Sequence, residues 1–246
     1  PRQATRIMAD INPSSEAVAP NVPKLREEFK VKYASSISGG KYDSRDVERF
    51  ESDDSYARAF LRTLRSKNDV AKAVDVVNDC FLFRKENGIW DLTEESFPAE
   101  VREKNAIYYR GVDTNGFKVL YVDVSANTSK TEEEKQWVRK YAAFVMEQHH
   151  RQTPETMVMC LFDMHKASTM SFNPEMSKYF TACFATYFPC FLAYMVNYEM
   201  PMLLGAVWSV VTKFLSAEQN EKVKAVSKSK ITQYLPADNL WDFMKK

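Results

Sequence analysis

The residues of this chain best suited to acid–base chemistry are Asp163 and His165, which follow an apolar run typical of a buried strand. The carboxyl ends of strands are where α/β proteins place their ligands. Catalysis here would also need a nucleophile and an oxyanion-binding site. The sequence contains no G-x-S-x-G motif and no paired carboxylates with a partner. We therefore expect that the chain is not an enzyme, and that Asp163 caps the next segment or accepts hydrogen bonds from loop amides.

A basic tract follows the most apolar segment of the chain. Its net charge is +5 − 2 = +3, because it contains two glutamates, Glu218 and Glu221, and five lysines: Lys213, Lys222, Lys224, Lys228 and Lys230. Charge counting alone favours a solvated surface. The alternative is a basic collar at the mouth of an apolar pocket, where the lysines would meet a lipid phosphate or an anionic bilayer.

The overall composition excludes several classes of function. The net charge is +1 over 246 residues, so no global field attracts nucleic acid. Signatures of RNA-binding, zinc-finger and P-loop proteins are also missing, and we expect no nucleic-acid partner. The four cysteines form no C-x-x-C pair, which is typical of buried free thiols in a cytosolic protein. The three histidines have no metal-ligand spacing, so no metal is expected.

The segment 187–215 combines a predicted buried strand, a polar break, Pro201 and a predicted helix at 202–215. That helix has only a narrow polar row beside two apolar stripes: Leu203, Val207, Val210 and Phe214, and Leu204, Trp208, Val211 and Leu215. An ordinary surface helix shows water a wide polar face. This helix must therefore be sandwiched, cover something apolar or touch a membrane. The polar break makes the whole segment a poor transmembrane helix.

The first part of the chain is predicted to be helical after an irregular lead-in at 1–22. Short charged helices are expected at 23–33 and 42–55. Two better-defined helices follow at 55–67 and 70–87, and Gly88 terminates the second of them.

From residue 105 onward, short strands alternate with helices. Strands are predicted at 106–110, 118–124, 157–164, 191–197 and 231–234. Helices are predicted at 131–151, 173–188, 202–215 and 217–226, the first opened by a capping box of Thr131 and Glu134. Alternation of this kind indicates an α/β fold with a mostly parallel sheet.

Several sequence blocks stand in the order found in the CRAL-TRIO, or SEC14-like, lipid-binding family. FLRTLRSKNDVAKAVDVVNDCFLFRKENG at 60–88 resembles the family's helical module, and GVDTNGFKVLYVDV at 111–124 resembles its hairpin and strand. YFPCFLAYMVNYEMPMLLGAVWSVVTKFL at 187–215 resembles its most characteristic block, and YLPADNL at 234–240 its closing signature. The resemblance covers roughly residues 50–241.

This resemblance implies a helical N-terminal lobe at 23–98 packed on a lipid-binding lobe at 99–246. The second lobe would hold a mixed, mostly parallel β-sheet flanked by helices, with a gate helix over a hydrophobic cavity. The implied function is non-catalytic binding of a phospholipid or other hydrophobic ligand, extending to transfer between membranes, with exchange at a membrane surface. No cofactor beyond the lipid is implied.

The expected lipid contacts are apolar side chains of the sheet, of the helix before its fourth strand and of the gate helix. They are Tyr121, Met159, Leu161, Phe180, Phe184, Tyr187, Tyr194, Val196, Leu203, Val207, Trp208, Val211 and Phe214. For a headgroup, the family pattern implies basic contacts at Lys67 and Lys222. Phosphatidylinositol-transfer members have a glutamate where this chain has Cys190, so one headgroup contact is lost.

The upstream block KYDSRDVERFESDD at 41–54 resembles family members that carry a further C-terminal domain and a membrane anchor at the endoplasmic reticulum. We therefore expect a fragment of a longer protein, cytoplasmic and peripheral to membranes. The alternative function is a cavity-poor module in which the apolar helix inserts into a bilayer or lipid-droplet surface. Such a module would serve targeting or protein interaction at organelle contact sites.

Overall fold

The computed structural model describes residues 12–171, 173–213 and 215–245. Within them the chain forms a helical N-terminal region and a five-stranded, mostly parallel sheet flanked by helices. This is the fold class predicted from the sequence.

In the described residues, the helical region contains six short to medium helices. They are α1 (Ser15–Val18), α2 (Val22–Lys32), α3 (Ala34–Ser38), α4 (Ser44–Ser52), α5 (Asp54–Leu61) and α6 (Val70–Glu86). Aspartates begin the last three, since Asp43, Asp53 and Asp69 each accept a backbone N–H of the first turn. The described part of the expected irregular lead-in is instead largely helical, because the Ser14 hydroxyl caps α1.

Aromatic side chains fill the interior of the helical region. Phe81 lies at its centre, with ring centroids of Phe29, Phe50 and Phe60 between 5.6 and 6.1 Å away in edge-on contact. All four rings are fully buried. Edge-to-face packing adds to the burial of these large side chains, so the region has a core of its own.

The sheet has the order β1-β2-β3-β4-β5 among the described residues. Its strands are β1 (Ile107–Val112), β2 (Lys118–Asp123), β3 (Val158–Asp163), β4 (Leu192–Tyr198) and β5 (Val223–Val226). β1 is antiparallel to β2 and the remaining pairs are parallel. Parallel strands need crossover connections, and the intervening helices supply them.

Five helices accompany the sheet in the part of the chain that the structure describes. They are α7 (Ala99–Arg102), α8 (Glu132–His150), α9 (Pro174–Ala182), α10 (Gly205–Thr212) and α11 (Ala217–Glu221). The predicted capping box of Thr131 and Glu134 is confirmed at the start of α8. A π-helical turn, Cys183–Tyr187, extends α9.

Two predictions near the end of the chain are wrong. The helix expected at 217–226 ends at Glu221, and Val223–Val226 becomes the fifth strand, because β4 would otherwise leave its edge groups unpaired. The strand expected at 231–234 lies instead in a 3₁₀ segment, Lys228–Gln233, which buries Ile231 against the sheet. A short apolar run in the sequence does not distinguish a strand from a helical segment.

The two faces of the sheet have different covers. Leu120, Cys160 and Leu192 face the side packed by α8 and α9. Val119, Met159 and Val196 face the segment after β5, which contributes Leu235 and Trp241 to the same cluster. The central strands are therefore buried on both faces, as parallel strands usually are.

A buried ion cluster joins the helical region to the sheet lobe. The Arg84 guanidinium on α6 is 1% exposed and donates to Asp46 Oδ1 at 2.6 Å. It also donates to both oxygens of Glu147 on α8, at 2.7 and 2.9 Å. Burial tends to raise the pKa of Glu147, but Arg84 outweighs it and the pKa falls to about 2. For Asp46 burial prevails, and its pKa is raised.

Glu147→Gln should lower the free energy of unfolding by about 3–5 kcal/mol, because it leaves part of the Arg84 charge uncompensated in the interior. The folded pKa of Glu147 lies below its ordinary value of 4.5, so its contribution is present above that pH and is lost as the pH falls towards 2. Urea unfolding at several pH values should show the difference between the two proteins shrinking over this range. Glu28→Gln, in an exposed pair with Lys24, should change stability by about 0.5 kcal/mol or less. A pH-independent difference would contradict the ion-pair explanation.

Candidate functional site

A pocket of about 110 Å³ lies on the helix-facing side of the sheet, towards the carboxyl ends of its strands. Its floor comes from adjacent parallel strands. Its walls come from α8 and α9, and Trp208 of α10 and Leu215 cover it. The main apolar lining residues are Val122, Phe162, Met195, Val138, Tyr141, Met176, Phe180, Trp208 and Leu215.

The sheet residues expected at the ligand lie on the other face. Tyr121, Met159, Leu161, Tyr194 and Val196 all belong to the core beneath the C-terminal segment. Tyr121 is held there by a 2.6 Å hydrogen bond to Asp163 and by stacking on Trp241 at 4.6 Å. The floor of the pocket is formed instead by Val122, Phe162 and Met195. Each is next to one of these residues in its strand and therefore points to the opposite face of the sheet.

The aromatic residues expected from the helix before β4 lie in three different places. Phe180 lines the main pocket, and Phe184 lines a smaller adjoining pocket of about 40 Å³. Tyr187 is turned away by the π-helical segment and stacks on Phe83 of α6, with ring centroids 3.8 Å apart. Tyr187 therefore joins the two lobes.

Of the residues predicted to lie on a gate helix, Trp208 of α10 lines the main pocket. Leu203 lies in the 3₁₀ turn Met202–Leu204, where it is 82% exposed. The side chains of Val207 and Val211, and the whole of Phe214, lie outside the described residues. Their expected contacts remain predictions.

Two asparagines give the main pocket a polar end that the sequence did not reveal. Asn197 of β4 is 2% exposed, and its Nδ2 has no partner among the described residues. Asn127 Oδ1 is also buried without such a partner, while its Nδ2 donates to the Ser171 carbonyl. The signal in the sequence was the polar residue Asn197 near the end of an otherwise apolar strand.

The smaller pocket contains the buried Lys222, and it shares Thr181, Met195 and Leu215 with the main pocket. Lys222 Nζ donates to Asn12 Oδ1 and to the Leu192 carbonyl, both at 2.8 Å. Burial lowers the pKa of this lysine to about 8. Both acceptors are neutral, so they do not cancel the charge of the lysine ammonium. The smaller pocket therefore contains a cation that these two partners leave uncompensated.

Cys190 lines the smaller pocket beside this lysine. It has a φ of 59°, an unusual backbone conformation for a non-glycine residue. Burial raises the pKa of its thiol. Cys190 therefore places a neutral group beside Lys222, whereas a carboxylate at this position would have balanced the charge of the lysine. All four cysteines are buried and free.

Lys67 lies outside the lining of both pockets. Its Nζ is 2.5 Å from Glu218 Oε1 on α11, and both side chains are largely exposed. The residue therefore connects the helical lobe to the element that follows α10.

Asp163 and His165 form a hydrogen-bonded pair at the opposite face of the sheet. Asp163 Oδ1 accepts the His165 backbone N–H at 3.1 Å and lies 2.7 Å from its ring Nδ1. The expectation that Asp163 binds loop amides is confirmed. Across the described ranges, no three potential metal ligands come together. Nor is any helix in those ranges long and apolar enough to cross a membrane.

Lys222→Met should change the pH dependence of stability. The folded pKa of about 8 lies below the ordinary 10.5, so the folded wild-type protein loses this proton first and gains stability as the pH rises between these values. Thermal unfolding should show the wild type gaining about 3 kcal/mol at most relative to the variant over this range. Lys24→Met, at an exposed lysine, is the matched control. A constant difference between wild type and Lys222→Met would contradict a buried, uncompensated charge.

Comparison with known proteins agrees with this architecture. The CRAL/TRIO domain profile matches residues 102–245, more than half of the chain. The crystal structure of Sfh5 superposes with a TM-score of 0.66 at 18% identity, covering 89% of this chain and 83% of that one. At this identity the structural match supports the fold alone. By the profile match, this chain belongs to the CRAL/TRIO domain family, a family of lipid-binding domains.

Proposed function

We propose that this chain binds a hydrophobic lipid in the main pocket without catalysing a reaction, and that α10 is the gate through which the lipid passes. The observation that carries the proposal is a largely apolar pocket on a rigid sheet, covered by Trp208 of a short apolar helix. Ligand pockets are typically apolar with a few polar groups that orient the ligand. The two asparagines and Lys222 fit that description.

The pocket volume implies that the gate must move. A volume of about 110 Å³ is well below the roughly 300–1,000 Å³ of typical ligand sites. A lipid can therefore enter fully only if α10 and Leu215 move away from the sheet. The inner surface of α10 would then need a new apolar cover, and a bilayer supplies one. Burial of ~200 Å² of apolar surface contributes roughly 5 kcal/mol, so exchange is favoured at a membrane rather than in free solution.

The smaller pocket supports a role for Lys222 with a polar or anionic headgroup. A ligand in the main pocket could reach this lysine past Thr181 and Met195, which line both spaces. An anionic group there would replace the neutral Asn12 oxygen as the partner of the ammonium. Lys67 would act less directly, by releasing Glu218 when the gate opens.

Met195→Trp should fill the junction of the two pockets and reduce lipid occupancy about tenfold or more. Native mass spectrometry of gently purified protein should show a co-purified lipid on the wild type and little on the variant. Val31→Trp places the same ring at a site of the helical lobe that is 76% exposed and should retain the lipid. An empty wild type that also fails to take up lipid from vesicles would contradict the proposal.

A second candidate function is supported by exposed apolar side chains beside the gate. Met202 and Leu203 precede α10 and are 97% and 82% exposed. Leu204, which follows Leu203, packs in a small cluster with Met164 and Ala167. The loop that carries the exposed Met170 follows these two residues and therefore lies nearby. This surface would suit insertion into a bilayer or lipid-droplet surface. Such a module would be cytoplasmic and membrane-peripheral, and would act at contact sites when joined to an anchored domain.

Changing both Met202 and Leu203 to glutamate should lower binding to vesicles of phosphatidylcholine and phosphatidylserine severalfold, because charged side chains do not enter the hydrocarbon region. Flotation of the purified chain measures the bound fraction. Val31→Glu, at a 76% exposed apolar residue of the helical lobe, is the control and should leave flotation unchanged. Equal flotation of the double variant and the wild type would exclude insertion through this loop.

A further inference from the structure

The asparagine end of the main pocket, formed by Asn197 and Asn127, differs in chemistry from the smaller pocket, which contains Lys222. Asn197 and Asn127 lie among apolar lining residues, and each has a buried amide atom without a partner among the described residues. Leaving a buried amide atom unpaired is unfavourable. A ligand group that pairs with both would recover this cost.

We propose that this end is a subsite for an uncharged hydroxyl group of the bound ligand, held between the amides of Asn197 and Asn127. The inference rests on the proposed lipid-binding function and specifies which polar group the ligand presents there. A hydroxyl can accept from Asn197 Nδ2 and donate to Asn127 Oδ1 at once. Because it both donates and accepts, it also suits either orientation of the Asn197 amide.

The charged groups around this end favour an uncharged partner. Asp123 also lines the pocket, and one of its oxygens accepts from the Ser125 and Ala126 backbone N–H groups, which anchors the carboxylate there. A phosphate placed beside this carboxylate would be repelled. Lys104 is exposed at the pocket margin and donates to Thr128 at 2.9 Å, so its charge remains in solvent.

The neighbouring polar groups are already paired. Thr181 donates to the Ser177 carbonyl at 2.9 Å, and the Ser171 hydroxyl donates to the Ser168 carbonyl at 3.2 Å. Among the described residues that line the pocket, Asn197 Nδ2 and Asn127 Oδ1 are the buried side-chain polar atoms without a partner. Asn197 is fixed by its strand, which pairs with β3 and β5 on either side, so its amide is pre-positioned for a ligand.

Calorimetric titration with short-chain probes tests the subsite. The probes share one alkyl chain: 1-octanol, the near-isosteric 1-fluorooctane, which cannot donate a hydrogen bond, and octyl phosphate. Wild-type protein should bind 1-octanol about five- to tenfold more tightly than 1-fluorooctane. Lys222→Met, which lacks the cation of the smaller pocket, should bind 1-octanol more tightly than octyl phosphate. In Asn197→Leu the alcohol-to-fluoride ratio should fall to about one, while 1-fluorooctane still binds. Gln136→Leu, at an exposed amide of α8 outside the pocket lining, should keep the wild-type ratio.

Removing an unpaired buried amide should not destabilise the fold, so Asn197→Leu should have a melting temperature equal to or above that of the wild type. If it fails to fold, the amide has a structural partner and the inference is overturned. Asn127→Ala tests the other amide and should lower the same ratio.

The outcomes separate this inference from the proposed function. Equal binding of alcohol and fluoride by the wild type would show that the amides hold only water and would overturn the subsite while leaving lipid binding intact. Tighter binding of octyl phosphate than of 1-octanol by Lys222→Met, which lacks the cation of the smaller pocket, would also overturn it. Failure of all three probes to bind, together with the absence of a co-purified lipid, would instead remove the pocket as a ligand site.

Discussion

The central parallel strands of this protein are buried on both faces, and each face therefore needs its own cover. On one face the segment after β5 supplies Ile231, Leu235 and Trp241, which pack directly on the sheet. On the other face α8 and α9 cover the sheet, and the pocket remains between them and α10. The pocket therefore lies where the short helix α10 completes the cover of this face of the sheet. Other features of the site follow from this arrangement.

The ionic connections between the parts of the structure differ in strength. The helical lobe is held to the sheet lobe by the buried Arg84–Glu147 pair and by the stack of Phe83 on Tyr187. The segment that follows α10 is tied to the helical lobe by the exposed Lys67–Glu218 pair. Exposed pairs contribute about 0–1 kcal/mol, whereas removing one partner of a buried pair costs several. By these ion pairs, α11 is held to the helical lobe far less strongly than the two lobes are held to each other.

The sequence predicted the elements whose ends carry their own chemical signals. Asp69 and Gly88 bound α6, and Thr131 with Glu134 begins α8, because capping is local. The sequence did not predict which face of the strands lines the pocket. In β2 and β3 both alternating sets are apolar, so Tyr121 and Val122 cannot be assigned to a face without knowing what covers each side. The short strand β5 was missed for a similar reason, since only its pairing with β4 distinguishes it from a continued helix.

Lys222 and Asn197 both retain buried polar groups that reduce the stability of the closed fold. Lys222 is a cation whose two acceptors are neutral, and Asn197 has an amide atom with no partner among the described residues. Apolar residues at either position would fit a sheet that needed only to be covered. Asn197 lines the main pocket and Lys222 the smaller one, and Met195 and Thr181 line both. Under the proposed lipid-binding function, these unmatched polar groups suit a ligand that carries polar groups at two positions on a hydrocarbon body. Pairing them with the ligand would recover free energy that the fold alone forgoes.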